Sequence, residues 1–376
     1  MGSPNVKPDA KYTLAMGFLQ KLCRGSGENF AFSPLSLGIA FSMLVAGVKG
    51  DTKKQLLDLL GYANEADLHA MYAELIKDKE LPIKIANKYL AQNTLKIQKS
   101  FETLVKETYE SEVELVDFVK DAREVEASVN AWVASKTNDM IQQLIRPGTF
   151  TGNTSLTLLN AVYFKGTWAN EFDPIPHGMV FKLRNGSAVK KSFMTKKSSD
   201  FNYFETEKLK MVKIPYKEEG CYMVVALPKD DDKHIDEILV TMTAAEMHSA
   251  VEKLNTARSP KVLLTMPKFK IDYKYSNLVD HMKALNVTKI FAGGDFGDLF
   301  EEMGRTMQVS AVVHQTVVDV DEKGTKAAAA TAAVVMLCLS ITLEDIVELT
   351  IDRPFMFSIH DGKHHIPAFL GVCACP

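Results

Sequence analysis

The chain has 376 residues, and 46% of them are hydrophobic, which is enough to bury a large core. Its formal net charge of −3 argues against nucleic acid as the main partner, because a phosphate-binding surface usually needs a basic excess. No segment reaches the roughly 20 apolar residues that span a bilayer. We therefore expect neither a nucleic acid nor a membrane as partner.

The domain count and the location follow from simple features of the chain. No long run rich in Pro, Gly and Ser divides it, so we expect one domain over residues 1–376. Five cysteines, an odd and sparse set, favour free thiols and a reducing compartment. The polar start lacks the apolar region of a signal peptide, which favours the cytoplasm, while a removed leader would indicate an extracellular protein. N-x-Ser/Thr sequences at Asn153, Asn185 and Asn286 leave glycosylation open.

Helical patterns dominate the first third of the chain. Apolar spacing and start and stop signals predict four helices, over residues 9–23, 35–48, 51–61 and 121–144. Ser33 and Pro34 are typical of a helix start, and the helix after them is apolar on nearly every side, so we expect it to be buried. Asp51 or Thr52 is the expected cap of the third helix, which ends at Gly61.

Strand patterns dominate the rest. Alternating or continuous apolar runs predict strands at 83–92, 113–118, 156–164, 211–216, 221–227, 262–271, 308–320, 354–361 and 366–376. Two more helices are predicted, over 244–254 and 277–285. Helices followed by many strands predict an α+β fold. Within the strand-rich part, residues 190–197 form the densest basic cluster, which indicates a solvated strand edge or, alternatively, a site for a heparin-like polyanion.

Two groups of residues invite a catalytic or metal-binding interpretation. Cys338 lies between two leucines and has no cationic neighbour to lower its pKa, so a nucleophile is not supported. A second group near the C-terminus has ligand-type side chains but matches no closed zinc signature, and a buried core strand explains it as well: His360, His364, His365, Cys373 and Cys375. No P-loop, GxGxxG or GxSxG is present. We expect no enzyme activity, no cofactor and no metal.

The segment 322–341 is unusual, because it carries no charge from residue 327 onward and changes from small to bulky apolar residues. It begins with an acid, any residue, Gly and Thr, and continues with small residues: Glu322, Gly324, Thr325, Ala327, Ala328, Ala329, Ala330 and Thr331. This pattern resembles the hinge of the serpins. Further serpin-like motifs occur in the family's order, at 32–36, 129–133, 160–172, 352–359 and 369–376.

The resemblance implies a serpin fold, with three β-sheets, about nine helices and an exposed reactive-centre loop over about 322–350. It also implies a metastable protein that inhibits endopeptidases as a suicide substrate. The target protease cleaves the loop and forms an acyl-enzyme, and the loop then enters the central sheet. The protein would be a monomer, with loop–sheet polymers as a misfolding risk, and the intracellular ovalbumin-like branch is a candidate subgroup.

Positions in the loop fit insertion into a sheet. If Thr325 faces inward, then Ala327, Ala329 and Thr331 do so too, and all of them are small or β-branched. A proline or a charge on this inward set would block or slow insertion. The resemblance also assigns a polar cluster beneath the parting strands and a group at the top of the sheet: Ser33, Ser36, Asn160 and His314 for the first, and Trp168, Lys268 and Glu322 for the second.

The hinge spacing implies that the bond to be cut is Cys338–Leu339, flanked by Met336 and Leu337. The loop is about five residues longer than usual on its far side, so counting back from Pro354 places the bond near Leu343 instead.

The absence of Arg and Lys over 327–352 favours targets with apolar S1 pockets, such as chymotrypsin-, cathepsin G- or elastase-like enzymes, over trypsin-like ones. A papain-like cysteine protease is a further candidate. The rival hypothesis is a non-inhibitory serpin that acts as a chaperone, storage or carrier protein, in which bulky, charged or proline residues would be expected over 327–330.

Overall fold

The structure is a computed structural model. It describes residues 9–23, 27–77, 83–164, 166–218, 220–257, 261–275, 278–301, 307–325 and 346–376. Most of the predicted reactive loop, residues 326–345, lies outside the described residues. This segment includes the predicted bond Cys338–Leu339 and the hinge residues from Ala327 to Thr331.

Nine α-helices lie in the described part of the chain. They are α1 Ala10–Leu22, α2 Pro34–Gly47, α3 Gly50–Leu60, α4 Glu65–Lys77, α5 Lys99–Tyr109, α6 Ala122–Lys136, α7 Ile235–Leu239, α8 Ala244–Thr256 and α9 Val279–Ala284. Helix α2 begins as predicted, since the Ser33 hydroxyl oxygen accepts a hydrogen bond from the Ser36 backbone N–H and Pro34 occupies the first turn. It is also buried along nearly its whole length, as its apolar sequence predicts.

Two helix predictions are wrong in their bounds. Helix α3 begins at Gly50, after Lys49, so neither Asp51 nor Thr52 is its cap, although Gly61 ends it in the left-handed conformation with φ +80°. Helix α6 ends at Lys136 rather than at 144, because the two residues after Thr137 take φ values of +51° and +60°, which a right-handed helix does not allow. The sequence patterns above do not predict α4, α5 or α7.

Eighteen strands lie in the described residues. They are β1 Phe30–Phe32, β2 Ile83–Gln92, β3 Val113–Val116, β4 Leu156–Phe164, β5 Asp173–Pro174, β6 Met179–Lys182, β7 Ala188–Lys191, β8 Phe193–Ser198, β9 Asn202–Glu205, β10 Leu209–Pro215, β11 Cys221–Pro228, β12 Lys261–Pro267, β13 Phe269–Tyr275, β14 Val309–Asp321, β15 Gly324–Thr325, β16 Ile346–Thr350, β17 Phe355–Asp361 and β18 Ile366–Cys373. The basic cluster 190–197 lies on β7 and β8, mostly exposed or half-buried.

The strands form three larger sheets and one two-stranded hairpin. Their orders are β1-β18-β17-β11-β10-β9, β16-β12-β8-β5, β13-β14-β4-β2-β3 with β15 beside β14, and β6-β7. The predicted α+β fold with three β-sheets is therefore confirmed. The predicted strand 262–271 is wrong: it divides at Lys268, whose backbone N–H bonds to Ser192, so that β12 and β13 belong to different sheets.

The sheet β13-β14-β4-β2-β3, called the central sheet below, separates two groups of buried side chains. Helix α2 and the larger core lie against one face, and α6 with the segment after it packs against the other. In this sheet β14 and β4 are parallel neighbours, paired from Val309↔Leu156 to Val317↔Tyr163. No helix in the described ranges is long and apolar enough to cross a membrane.

The C-terminal group of histidines and cysteines forms no metal site in the described residues, which contain no cluster of three or more His, Cys, Asp or Glu able to hold an ion. His360 is buried, and its Nε2 lies 2.8 Å from the Ser358 hydroxyl. Strand β18 ends at Cys373, so Cys375 is not part of the same strand, contrary to the prediction.

Candidate functional site

Three polar side chains lie side by side across the central sheet and are called the polar row below. Asn87 on β2 is paired with Asn160 on β4, and Asn160 with His314 on β14. His314 Nδ1 contacts Asn160 Oδ1, and Asn160 Nδ2 in turn donates to Asn87 Oδ1. Asn160 and His314 are fully buried. The row therefore bridges β4 and β14, the parallel pair at the centre of the sheet.

The start of α2 holds the polar row from below. The backbone N–H of Ser33 donates to His314 Nε2 at 3.1 Å, and the Ser33 hydroxyl donates to the Ala368 carbonyl at 2.6 Å. Asn160 Nδ2 donates to both the carbonyl and the hydroxyl oxygen of Ser36, at 3.0 and 2.6 Å. The structure thus brings together all four residues predicted for the cluster beneath the sheet.

These contacts fix the protonation of His314. Because Nε2 accepts a hydrogen bond from a backbone N–H, the ring proton must be on Nδ1, where it is donated to Asn160 Oδ1. Burial disfavours the imidazolium and lowers the pKa of His314 to about 3. The ring is therefore neutral at physiological pH, and a second proton on it would break the bond to Ser33.

Asn87 is a member of the row that sequence reasoning missed. A signal was present, because Asn87 follows Ile83 and Ile85 at the strand period of two and so interrupts an apolar face with an amide. A polar residue at such a position needs a buried partner. The sequence does not say that the partner would be Asn160, which lies 73 positions away.

A second group lies at the top of the central sheet. Trp168 is fully buried, and its indole Nε1 donates to the Asp321 carbonyl at 2.9 Å. Its ring stacks on Tyr216 with a centroid distance of 4.4 Å, and its backbone N–H donates to the Lys323 carbonyl at 2.9 Å. Trp168 therefore fixes the turn that follows β14. Tyr216 was not predicted, since nothing in its local sequence distinguishes it.

The predicted pair Lys268 and Glu322 is also present. Lys268 Nζ lies 2.9 Å from Glu322 Oε1, with side chains 36% and 23% exposed. Such partly exposed pairs contribute little stability, about 0.2–1 kcal/mol. The backbone carbonyl of Glu322 accepts a hydrogen bond from Phe172 at 2.8 Å, which adds a second attachment for the same turn.

Beyond this turn the chain already enters the sheet. Gly324 has φ +145°, and a Cβ at this position would lie 2.2 Å from the Gly166 carbonyl oxygen, so only glycine fits. Thr325 is fully buried, its N–H donates to Gly166 at 2.6 Å, and its hydroxyl lies 3.0 Å from that of Tyr216. Thr325 thus faces inward, as the insertion hypothesis requires, antiparallel to the end of β14.

Comparison with known proteins decides the family. A protein-family model described as "Serpin (serine protease inhibitor)" matches residues 9–376. The chain belongs to the serpin family.

Known serpins resemble this one over nearly their whole length. Iris from Ixodes ricinus is 31% identical over 94% of this chain and 95% of its own. The leukocyte elastase inhibitor of Sus scrofa is 29% identical, with 93% of each chain covered. Among solved structures, the native thermophilic serpin tengpin has a TM-score of 0.86 at 24% identity, covering 100% of this chain and 96% of its own. Native protease nexin-1, solved with heparin, has a TM-score of 0.83 at 25% identity, covering 98% and 100%.

Family membership confirms the predicted fold and the protein class. This serpin has the metastable serpin fold, and the family supports protease inhibition in general as its activity, with target proteases as partners. The serpin family is one of protease inhibitors rather than of catalysts. Some serpins are not inhibitors, so the mechanism must be argued from this chain's own residues.

Proposed function

We propose that this serpin inhibits serine endopeptidases as a suicide substrate. The target cleaves the bond Cys338–Leu339 and remains attached as an acyl-enzyme. The freed loop then enters the central sheet between β4 and β14 and carries the protease with it, which distorts the protease's active site before deacylation. Residues 327–338 would become the new strand.

The arrangement of β4, β14 and the hinge is the observation that supports this proposal most directly. β4 and β14 are parallel, and the chain leaving β14 turns back at 321–325 to run antiparallel to it. A strand that continued from Thr325 would be antiparallel to both neighbours. One parallel pairing would be replaced by two antiparallel pairings, which are individually slightly more stable per residue. Insertion therefore adds hydrogen bonds and buried area.

The hinge residues fit this path. Thr325 is already buried beside the end of β14. The next inward positions would be Ala327, Ala329 and Thr331. Small side chains at these positions can pass between the strands without burying a charge. The rival hypothesis, a non-inhibitory carrier or chaperone, has no comparable support from this hinge.

The polar row has a definite role in the proposal. Inserting one strand moves β14 away from β4 by about 4.8 Å, the spacing of neighbouring strands. The contact between His314 and Asn160 cannot survive this movement, because the two side chains now touch directly. We infer that the row holds the sheet closed until cleavage, and that Ser33 and Ser36 orient its members.

Target choice is inferred from the loop sequence. No Arg or Lys occurs over 327–352, so a trypsin-like S1 pocket with its buried carboxylate would find no partner. Chymotrypsin-, cathepsin G- and elastase-like enzymes are the proposed targets, with the cut inside 336–343. A relative that is 29% identical is named a leukocyte elastase inhibitor, which agrees with an apolar target pocket.

A gel-shift assay tests the proposal. We expect a complex that survives SDS with at least one chymotrypsin- or elastase-like protease, and none with trypsin. Mass spectrometry should show that the released C-terminal fragment begins at Leu339. Cleavage of the loop by every such protease without a stable complex would contradict inhibition and favour the rival hypothesis.

A polyanion partner is a lesser proposal. Lys190 and Lys191 lie on β7, and Lys196 and Lys197 lie on β8, which follows β7 in the chain but belongs to a different sheet. The related protease nexin-1 was solved with heparin. Acceleration of protease inhibition by heparin, lost at high salt, would support such a partner.

A further inference from the structure

A large cleft lies beside β2, on the side of this strand that faces away from β4. Its volume is about 740 Å³, within the range of about 300–1,000 Å³ typical of ligand sites. Strand β2 forms its floor, α5 and the turn after it form one wall, and α6 forms the other. The residues that line the cleft include neither Trp168 nor any residue of the turn at 321–325, and the inhibition proposed above does not use them.

The edge of β2 inside this cleft lacks a partner strand. β3 pairs with β2 only from Tyr89↔Val113 onward, and over residues 83–88 no described strand lies on that side. The N–H of Asn93, which follows β2, donates to Val116 just beyond the paired stretch, so odd-numbered residues turn their backbone groups toward this edge. Ile83 and Ile85 therefore present their N–H and C=O groups to the cleft. An edge of this kind is a template for another strand.

The two faces of that edge differ in chemistry. Ala86 packs with the α6 side of the sheet, so Lys84 and Lys88 point to the same face, because side chains alternate along a strand. The α6 wall adds Trp132 and Lys136. Lys88 already pairs with Glu114 at 2.6 Å, whereas Lys84 and Lys136 make no ion pair with described residues. This face is basic.

The other face is apolar. Ile83 and Ile85 point to it, and the surrounding walls come from α2, α4 and α5. The wall residues on this side are Ile39, Leu75, Ile76, Val105 and Tyr109. Glu102, Glu110 and Glu112 lie on α5 and on the turn after it together with Lys106, so this wall carries both charges, whereas the charged residues that β2 and α6 contribute to the cleft are all lysines.

We propose that this cleft binds an extended peptide segment of a partner protein, which adds a strand to the edge of β2. Backbone groups of Ile83 and Ile85 would pair with the peptide, as in other cases of strand addition. Successive peptide side chains would point alternately to the two faces. The segment should therefore alternate apolar residues, which contact the half-buried Ile83 and Ile85, with acidic residues, which contact the exposed Lys84 and Lys136.

Binding of designed peptides tests the proposal on the full chain. The probe is a fluorescently labelled six-residue peptide that alternates Val and Glu, with two comparison peptides: the same composition in blocks, and the alternating peptide N-methylated at every second residue. We expect the alternating peptide to bind at least about tenfold more tightly than either comparison peptide. The block peptide lacks the alternation of side chains, and the N-methylated peptide lacks backbone N–H donors. Hydrogen exchange should show new protection at Ile83 and Ile85.

Charge reversal locates the site. The double variant Lys84→Glu, Lys136→Glu should lose binding of the Val–Glu peptide and gain binding of a Val–Lys peptide. The control Lys253→Glu, an exposed lysine on α8, should change neither. Equal binding of the N-methylated and unmethylated peptides would overturn strand addition. Unchanged binding to the double variant, or protection that appears elsewhere, would overturn the site.

Discussion

The protonation of His314 gives the most quantitative test of the polar row. The ring is fully buried, it accepts a hydrogen bond from Ser33 and it donates one to Asn160. We consider the variant His314→Gln, which keeps a donor and an acceptor but cannot take up a proton in the acid range. The variant should be less stable than the parent at pH 7, because its geometry fits less well, and its stability should depend less on pH.

The magnitude follows from linkage. The pKa of His314 is about 3 in the folded protein, against about 6.5 in an unfolded chain. Below pH 6.5 the unfolded state gains a proton that the folded state does not, so stability falls as the pH falls toward 3. Between pH 7 and 5 this amounts to about 2 kcal/mol from His314 alone. The variant His314→Gln should not show this loss of stability, because glutamine takes up no proton in this range.

Equilibrium unfolding in urea at pH 7 and pH 5 measures the difference. The parent should lose about 2 kcal/mol more than the variant over this interval. His360→Gln is the matched variant, since burial lowers the pKa of His360 to about 3 as well, away from the polar row. His360→Gln should reduce the loss of stability between pH 7 and pH 5 by the same amount as His314→Gln. The double variant should reduce it by about twice as much. Equal pH dependence of the parent and His314→Gln would refute a neutral, buried His314.

Three further predictions concern the hinge and its surroundings. Gly324→Ala places a Cβ 2.2 Å from a backbone oxygen at φ +145°, so we expect destabilisation by about 1–3 kcal/mol in thermal melting, and no change would contradict the assigned turn. Tyr216→Phe removes the hydroxyl that meets Thr325 at 3.0 Å but keeps the stack on Trp168, so unfolding should cost about 1 kcal/mol less, with unchanged tryptophan fluorescence. Thr325→Glu puts a charge on the first inward position, so the protease should still cut the loop while the SDS-stable complex disappears, measured as a sharp rise in the inhibitor-to-protease ratio needed for full inhibition. Persistence of the complex in that variant would contradict insertion from this side.

The sequence predicted those parts of the fold that depend on local chemistry. Helix α2 begins at Pro34 because Ser33 caps it, and both signals are visible in the chain. The valine-rich run predicted at 308–320 is β14, shifted by one residue. The predicted end of α6 was wrong because the helix ends before Asn138 and Asp139, which adopt the left-handed conformation. Neither residue is a glycine or a proline, the usual sequence signals for the end of a helix.

The candidate site was predictable only in part. Seven residues assigned from the family resemblance meet in two groups, around Asn160 and around Trp168, but their partners Asn87 and Tyr216 were missed. Both partners lie far along the chain from the residues they contact, at separations of 73 and 109 positions for Asn87–Asn160 and Tyr216–Thr325. Such contacts depend on how strands are ordered in a sheet, and a local pattern of residues does not encode this order.

The central claim is that cleavage releases the loop to become a strand of the central sheet. Thermal denaturation of the intact protein and of protein cut within 336–343 measures this directly. We expect the cleaved form to remain folded at temperatures that unfold the intact one, because the inserted strand adds two antiparallel pairings between β4 and β14. The same melting temperature for both forms would contradict insertion, and with it the suicide-substrate mechanism.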